Sequence, residues 1–384
     1  GPLPATEALI NSRNVPAVQL QAQLTAPDFY QWLTQAGVKL PKGPEHYGLA
    51  LVLGGMEISM AQLVQLYASL GNGGNWQTLQ WQATPDASPA QTLLSPEAAF
   101  LTLDMLRQHP KPQSVLLQQL TDTVPVAWKT GTSYAFRDAW AIALSGDYVL
   151  AVWLGNFDGS SNPNLVGRTA AGPLLFELLA LLPRDKQAEQ RLFTAGSKLN
   201  LKQVALCSRS GDLPNKYCPQ TRPGWFIPGV SPIKVSDVHR AVPVYIDSGL
   251  RACAHQPPDT ELNVYEFWSS DIARAYQLAG LMLQKPPPYR QACDGLALSS
   301  QPPQIRSPQA SLTYQLGTQP EQQKIALQAS FDGAVTRAHW FIDNRYLGAT
   351  APGETLFWQG EAGEFQLRVV DDLGGVASQR LRVQ

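Results

Sequence analysis

Residues 129–133 read Lys-Thr-Gly-Thr-Ser, between the apolar run "VPVAW" and the tryptophan-bearing "DAWAIALS". A lysine, two threonines, a serine and a glycine are poor material for a core strand, so they call for a chemical reason. A lysine held beside a hydroxyl can move protons during acyl transfer. A glycine in a strand lets a second backbone come close, so a peptide can add to the sheet as a further strand. Hydroxyls beside an ammonium suit a carboxylate. A second group, Ser12-Arg13-Asn14, places a hydroxyl and a carboxamide at a helix break. Each group alone has a plain structural explanation, a hairpin edge and a helix cap. Together, in this order and with an α+β layout between them, they point to one site.

Other residue types narrow the chemistry. Histidines at 46, 109, 239, 255 and 339 show no metal spacing such as H-x-x-x-H, so no metal site is expected. Cys207, Cys218, Cys253 and Cys293 all lie in one Pro-rich segment without a C-x-x-C pair. That pattern fits two disulfides and an oxidising compartment. Of the three pairings, 207–218 with 253–293 is expected, because each bridge closes a short loop. The net charge is -1, and no basic excess points to nucleic acid. Asp371-Asp372 before Leu-Gly-Gly reads as a turn. Trp225 and Phe226 are expected to pack the Cys-bearing segment onto the domain before it.

The elements that position these residues follow from periodicity. The chain has 384 residues, 44% hydrophobic and 15% charged, enough for two or three domains with real cores. Residues 5–36 read as two helical pieces, "TEALIN" and "APDFYQWLTQAG", broken at 11–14 with Pro16 following. A helix capped by Ser59 ends in the glycines at 71–74, and Ser95-Pro96 opens another. "VPVAWKTGTS", "DAWAIALS" and "YVLAVWLGN" read as an antiparallel meander, apolar on both faces and therefore covered by helices on both. A helix ending at Pro183 follows. The fold class is α+β, with an antiparallel sheet covered by helices in a domain spanning 1–185. Residues 186–304 read as a Cys/Pro-rich linker segment with one clear helix in "SSDIARAYQLAGLML" and loops around "RPGWFIPGVSPIKV". Residues 305–384 read as a small immunoglobulin-like β-sandwich. No run reaches about 18 apolar residues, so no membrane span is expected within the sequence, which is read as beginning partway into a protein.

The motifs carry a resemblance. "EALINSRNVPAVQL", "LGGMEISMAQLVQLYASLGNGG" and "AWKTGTSYAFRDAWAI" resemble the later part of the transpeptidase domain of class A penicillin-binding proteins. "WFIPGVSPI" and "FQLRVVDDLGGVASQRLRVQ" resemble the 1C type of that family. The resemblance implies the serine β-lactamase/transpeptidase fold, in part, and no cofactor. It implies that Ser12, working with Lys129, passes a proton to a leaving amine, and that Asn14 bonds the substrate amide. Thr130 and Thr132 would hold a terminal carboxylate, and Gly131 would admit the strand-like substrate. Implied partners are peptidoglycan stem peptides ending in D-Ala-D-Ala, β-lactams once a nucleophile is supplied, and a cell-wall protein on the C-terminal module. The implied setting is the periplasm, in a parent anchored in the inner membrane and carrying a glycosyltransferase domain.

One departure matters. The family's nucleophilic serine lies in S-x-x-K upstream of S-x-N, whereas the single match here is Ser231-Pro232-Ile233-Lys234, after K-T-G and in poor helix material. The nucleophile is therefore expected outside this sequence, and the chain alone is expected to be inactive. Two alternatives stand beside this reading. One is a non-catalytic cell-wall binding or scaffolding protein; the other is a serine β-lactamase or D,D-carboxypeptidase.

Overall fold

The structure is a computed structural model. It describes residues 3–82, 89–112, 125–183, 185–194, 199–253, 258–290, 302–317, 323–332 and 335–384. The chain divides into two compact units, one formed by 3–203 with 225–231, the other by 204–224 with 232–384.

The first unit begins with three short helices, α1 (Ala5–Ile10), α2 (Asn14–Gln21) and α3 (Phe29–Gln35). The sequence reading expected two, with Asn14 and Pro16 outside them. Pro16 instead sits in the first turn of α2, where a missing N–H breaks no helical hydrogen bond. A single turn, α4 (Pro44–Tyr47), leads to α5 (Met60–Gly71), which opens on a capping box made by Ser59 and Gln62. The next helix, α6 (Pro96–Leu106), is capped by the Ser95 hydroxyl, which accepts from Ala98 N at 3.2 Å.

The centre of this unit is an antiparallel meander. Its strands are β3 (Ala127–Thr132), β4 (Asp138–Ser145) and β5 (Tyr148–Gly155), in that order across the sheet, after a small β1 (Asn75–Trp76) and β2 (Gln91–Thr92) pair. Lys129 pairs with Ile142, Gly131 with Trp140 and Thr132 with Ala139. Both faces are covered. On one, Trp128, Ala139, Ala141, Ala143 and Val152 pack against Leu175 and Phe176 of α7 (Gly172–Leu181). On the other, Ala127 and Leu144 meet Leu103 and Leu106 of α6, with Leu9, Tyr67 and Leu192 around them. The alanines of β4 let α7 lie close to the sheet. A further helix, α8 (Lys186–Phe193), contributes Leu192.

The second unit holds more strand than its composition suggests. The stretch read as loops contains β6 (Lys202–Cys207), β7 (Thr221–Phe226), β8 (His239–Tyr245) and β9 (Thr260–Glu266). The strands hold Pro223 and Pro243, and a strand tolerates proline where the missing N–H breaks no ladder bond. The expected helix is present as α9 (Ser270–Leu278). Cys207 and Cys218 form a disulfide, and Cys253 is also disulfide-bonded. Its expected partner, Cys293, lies outside the described residues. The Ser270 hydroxyl accepts from Phe331 N at 3.0 Å, and Ser270 N donates to Phe331 O at 2.9 Å.

Two sheets follow, β10 (Gln304–Ser307), β12 (Lys324–Ser330) and β15 (Leu356–Gln359) in one. The other orders β11 (Thr313–Tyr314), β17 (Val376–Val383), β16 (Gly363–Asp371), β13 (Ala338–Ile342) and β14 (Arg345–Thr350). They share one core: Ile325, Leu327 and Trp358 from the first, Trp340, Leu367, Val369 and Leu381 from the second. Asp371 closes a turn by accepting from Leu373 N and Gly375 N.

Trp340 is fully buried, and its indole N–H donates to the Thr350 hydroxyl at 3.0 Å. Thr350→Val keeps the shape but strands the indole N–H without a partner. The expected loss is about 1–3 kcal/mol of unfolding free energy, measured by urea titration. A change within a few tenths would show that the bond carries no weight in this core.

Candidate active site

Lys129 reaches its position through strand alternation. Trp128 is 1% exposed, held edge-on by Phe176 at 5.0 Å between ring centres. Its indole N–H donates to His109 O at 3.1 Å, and the His109 ring lies against it at 4.2 Å. Successive strand residues face opposite sides, so Lys129 points with Ala127 toward α1 and α6. There its ammonium donates to the Ser12 hydroxyl and to Thr130 O, the latter at 2.7 Å. Burial holds the Lys129 ammonium below the ordinary lysine range. That direction brings it nearer to giving up a proton at working pH.

Ser12 is presented by a strained joint. It takes a left-handed backbone, φ 52°, between α1 and α2. Ser12 N donates to Leu9 O at 3.1 Å and Arg13 N to Ala8 O at 2.9 Å, while Leu9 is anchored among Leu103, Leu106 and Ala127. A serine in this conformation costs of order 1–3 kcal/mol and persists only where its surroundings fix it. Two residues on, Asn14 starts α2 with an exposed side chain; among the described residues it makes no hydrogen bond to the strand.

The threonines lie on the other face. Thr130 is half-buried, and the exposed Thr132 accepts through its Oγ1 from Gly167 N at 2.9 Å. That leaves the Thr132 hydroxyl proton free to donate. Because β3 is the outer strand of its sheet, both faces border the same edge. Ser133 turns inward to the hairpin, where its Oγ accepts from Asp138 N at 2.8 Å. The structure thus joins Ser12 to Lys129 directly. It places Thr130, Gly131 and Thr132 beside Lys129 along the edge, and puts Asn14 in the same helix joint as Ser12.

Two contributors were not found by sequence reasoning. Gly167 brings a π-helical turn, 167–171, against the strand; a Cβ there would come 2.3 Å from Gly131 O and 2.7 Å from Trp140 O. His109 is buried, and its ring is pushed down to about 4 by burial and then by the charges of Lys129 and Arg168. It is therefore neutral beside the lysine. Neither carries a motif, since each matters only through the partner the fold gives it.

Ser231, the serine of the one S-x-x-K, lies in a turn, its Oγ accepting from Ile227 N at 2.9 Å. Lys234 is ion-paired with Asp212 at 3.0 Å. Trp225 donates to Asp104 Oδ2 at 3.1 Å and meets Phe100 edge-on.

Three family models tile the chain. "Penicillin binding protein transpeptidase domain" matches 1–168, "Penicillin-binding protein 1A, C-terminal domain" matches 198–241, and "Penicillin-Binding Protein C-terminus Family" matches 294–383. Penicillin-binding protein 1C of Escherichia coli (strain K12) is 25% identical over 100% of this chain and 50% of its own length. The three models and this relative are all of penicillin-binding proteins, and this chain is similar to them, the 1C type among them. Penicillin-binding protein 1A of Clostridium botulinum (strain Langeland / NCTC 10281 / Type F) is 28% identical over 61% of this chain and 30% of its own. A solved structure of penicillin-binding protein 1A from Haemophilus influenzae, 17% identical, covers 61% of this chain and 41% of its own with a TM-score of 0.48. The chain spans about half the length of the first relative. Among the described residues, no helix is long and apolar enough to cross a membrane.

The pH dependence of stability follows from His109. Its folded value, about 4, lies below the ordinary 6.5, so the unfolded chain binds the proton more tightly. Stability from this group is complete above pH 6.5 and is lost as pH falls toward 4. Urea midpoints for the native chain should fall through that window, and His109→Gln should flatten the fall. Parallel curves for the two chains would contradict the assignment.

Proposed function

We propose that this chain is the substrate-binding part of a serine-type peptidoglycan D,D-transpeptidase acting on stem peptides that end in D-Ala-D-Ala. The observation that carries the reading is the contact between the Lys129 ammonium and the Ser12 hydroxyl, 117 residues apart in sequence. In the proposed reaction a serine attacks the carbonyl of the penultimate D-Ala, an ester forms, and the terminal D-Ala leaves through its nitrogen. Ser12 gives that nitrogen a proton, and Lys129 stabilises and resupplies the hydroxyl. The amine of a neighbouring stem then displaces the ester. Thr130 and Thr132 hold the terminal carboxylate, Gly131 admits the extended peptide, and Asn14 bonds its amide. β-Lactams would enter as mimics of the same substrate.

The sequence contains one S-x-x-K; its serine sits in a turn where Oγ accepts from Ile227 N, and its lysine is ion-paired with Asp212. In this reading the attacking oxygen comes from a segment other than these residues, and the chain alone is inactive. The same reading assigns 1–185 to the transpeptidase, 186–304 to a disulfide-bearing linker and 305–384 to an immunoglobulin-like module docking a cell-wall protein. It sets the chain in the periplasm, in a parent anchored in the inner membrane and carrying a glycosyltransferase domain. The Cys207–Cys218 bridge supports an oxidising compartment.

Intact-mass spectrometry with a labelled β-lactam tests this. The 384-residue chain should gain no covalent adduct. A chain with an S-x-x-K segment supplied ahead of it should be acylated. Lys129→Ala in that longer chain should slow acylation by about 10²–10⁴-fold. A stoichiometric adduct on Ser231, or on any other residue of this chain alone, would overturn the assignment.

A further inference from the structure

The second unit holds a group of side chains that the transpeptidase reading does not use. Cys207 Sγ, Cys218 Sγ and a His239 ring nitrogen all lie within 4.8 Å of one another. Cys207 is fully buried and His239 nearly so. Cys207 Sγ stands 3.8 Å from His239 Nδ1. A tetrahedral zinc ion, with sulfur at about 2.3 Å and nitrogen at about 2.0–2.1 Å, holds such a pair about 3.6 Å apart. The backbone therefore already sets this sulfur and this nitrogen at the spacing of two ligands on one ion.

The other ring nitrogen is also provided for. His239 and Glu266 are directly opposed in the β8–β9 register, and Glu266 Oε1 faces His239 Nε2 at 3.9 Å. Glu266 is itself buried and held by Arg209, whose Nη2 lies 2.8 Å from Oε1, and by the Trp268 indole N–H at 3.4 Å from Oε2. A carboxylate behind the non-ligating nitrogen fixes the ring and its tautomer in metal sites. Asn215 adds rigidity, donating through Nδ2 to Ser236 O at 2.8 Å and His239 O at 2.9 Å. The ligand positions are 11 and 21 residues apart, which is why a search for short metal spacings passes over them.

We propose that Cys207, Cys218 and His239 form a redox-gated zinc site, closed as the disulfide and opened by reduction. A dithiol reductant delivers two electrons and two protons to the Cys207–Cys218 bond and leaves as its own disulfide. Zn²⁺ then displaces both thiol protons and binds two thiolates and the imidazole, with the fourth position open to water. Two thiolates with an imidazole favour zinc over magnesium or calcium. The segment is thus cross-linked in either state, by sulfur when oxidised and by metal when reduced.

The test uses the full chain, a phosphine reductant and zinc alone, with bound metal counted after equilibrium dialysis. The reduced chain should hold one equivalent and the oxidised chain none. Reduction also opens the bridge at Cys253. A Cys253→Ser/Cys293→Ser chain should therefore still bind zinc when reduced, and Cys207→Ser/Cys218→Ser should not. Glu266→Gln, which removes the charge facing His239 together with the Arg209 ion pair, should weaken affinity about 10–100-fold. Cobalt in place of zinc should give the thiolate charge-transfer and tetrahedral ligand-field bands, a signature that does not depend on any variant folding. Absence of zinc from the reduced native chain would overturn the proposal. So would binding that survives loss of Cys207 and Cys218, or octahedral cobalt.

Discussion

A strand residue can face only one side of its sheet, and at position 128 the choice is made by a tryptophan. Trp128 is enclosed by Phe176 and His109 and hydrogen-bonded through its only polar atom. Truncating such a residue typically costs about 3–5 kcal/mol. Slipping β3 by one residue would lift it out of the core and drive Lys129 into the cluster around α7. The register of the strand, and with it the direction of Lys129, is therefore set by an apolar contact one residue away from the chemistry. The paired strands then carry this choice across the sheet, since Ala127, Leu144 and Leu9 all pack on the side that Lys129 is forced to face.

On that side the lysine meets a cost and its compensation. Burial disfavours the ammonium. The Ser12 hydroxyl and Thr130 O accept two of its three N–H groups. Ser12 is available only because the α1–α2 joint bends through a left-handed serine, and the joint holds because Leu9 is buried one turn before it. His109, stacked on Trp128, stays uncharged and adds no charge of its own beside Lys129. Core packing, backbone strain and desolvation thus converge on one polar contact.

How much of this was legible in the sequence depends on whether a residue acts locally or through a distant partner. Lys129 to Thr132 stood out because polar residues interrupt an apolar run, and Ser12 because it breaks a helix. The meander was visible in its Val, Ile and Trp runs, and the Ser59 and Ser95 caps in their spacing to the helices they start. Helix α2 was obscured by Pro16, whose meaning changes with its place in a helix; only the first turn tolerates it. Strands β7 and β8 were obscured by Pro223 and Pro243 for a similar reason, since a strand tolerates proline only where no ladder bond needs its N–H. His109 and Gly167 could not be read at all. Burial between Trp128, Lys129 and Arg168 defines the first, and contact with the backbone of β3 and β4 defines the second.

The two glycines at the strand separate what the fold needs from what it leaves open. Gly167 is required by the chain itself. Its backbone lies so close to Gly131 O and Trp140 O that any side chain would push the π-helical turn off the sheet, breaking the bond from Gly167 N to Thr132. Gly131 has no such constraint. Its φ is not in the left-handed region, and a Cβ built there would meet only Trp140 Cβ, at an ordinary 3.7 Å. Nothing within the described protein explains glycine at 131, although a glycine inside a strand costs stability relative to a residue with a side chain. A residue that weakens its own strand without easing a contact in its own fold makes sense when something outside the fold must come close. The open side of Gly131 is the exposed edge between Lys129 and Thr132, where the proposed peptide would lie. The glycine that packs the sheet and the glycine that exposes it are neighbours across one carbonyl. Gly167 covers Gly131 from the protein side, and so leaves only the solvent edge for an incoming strand.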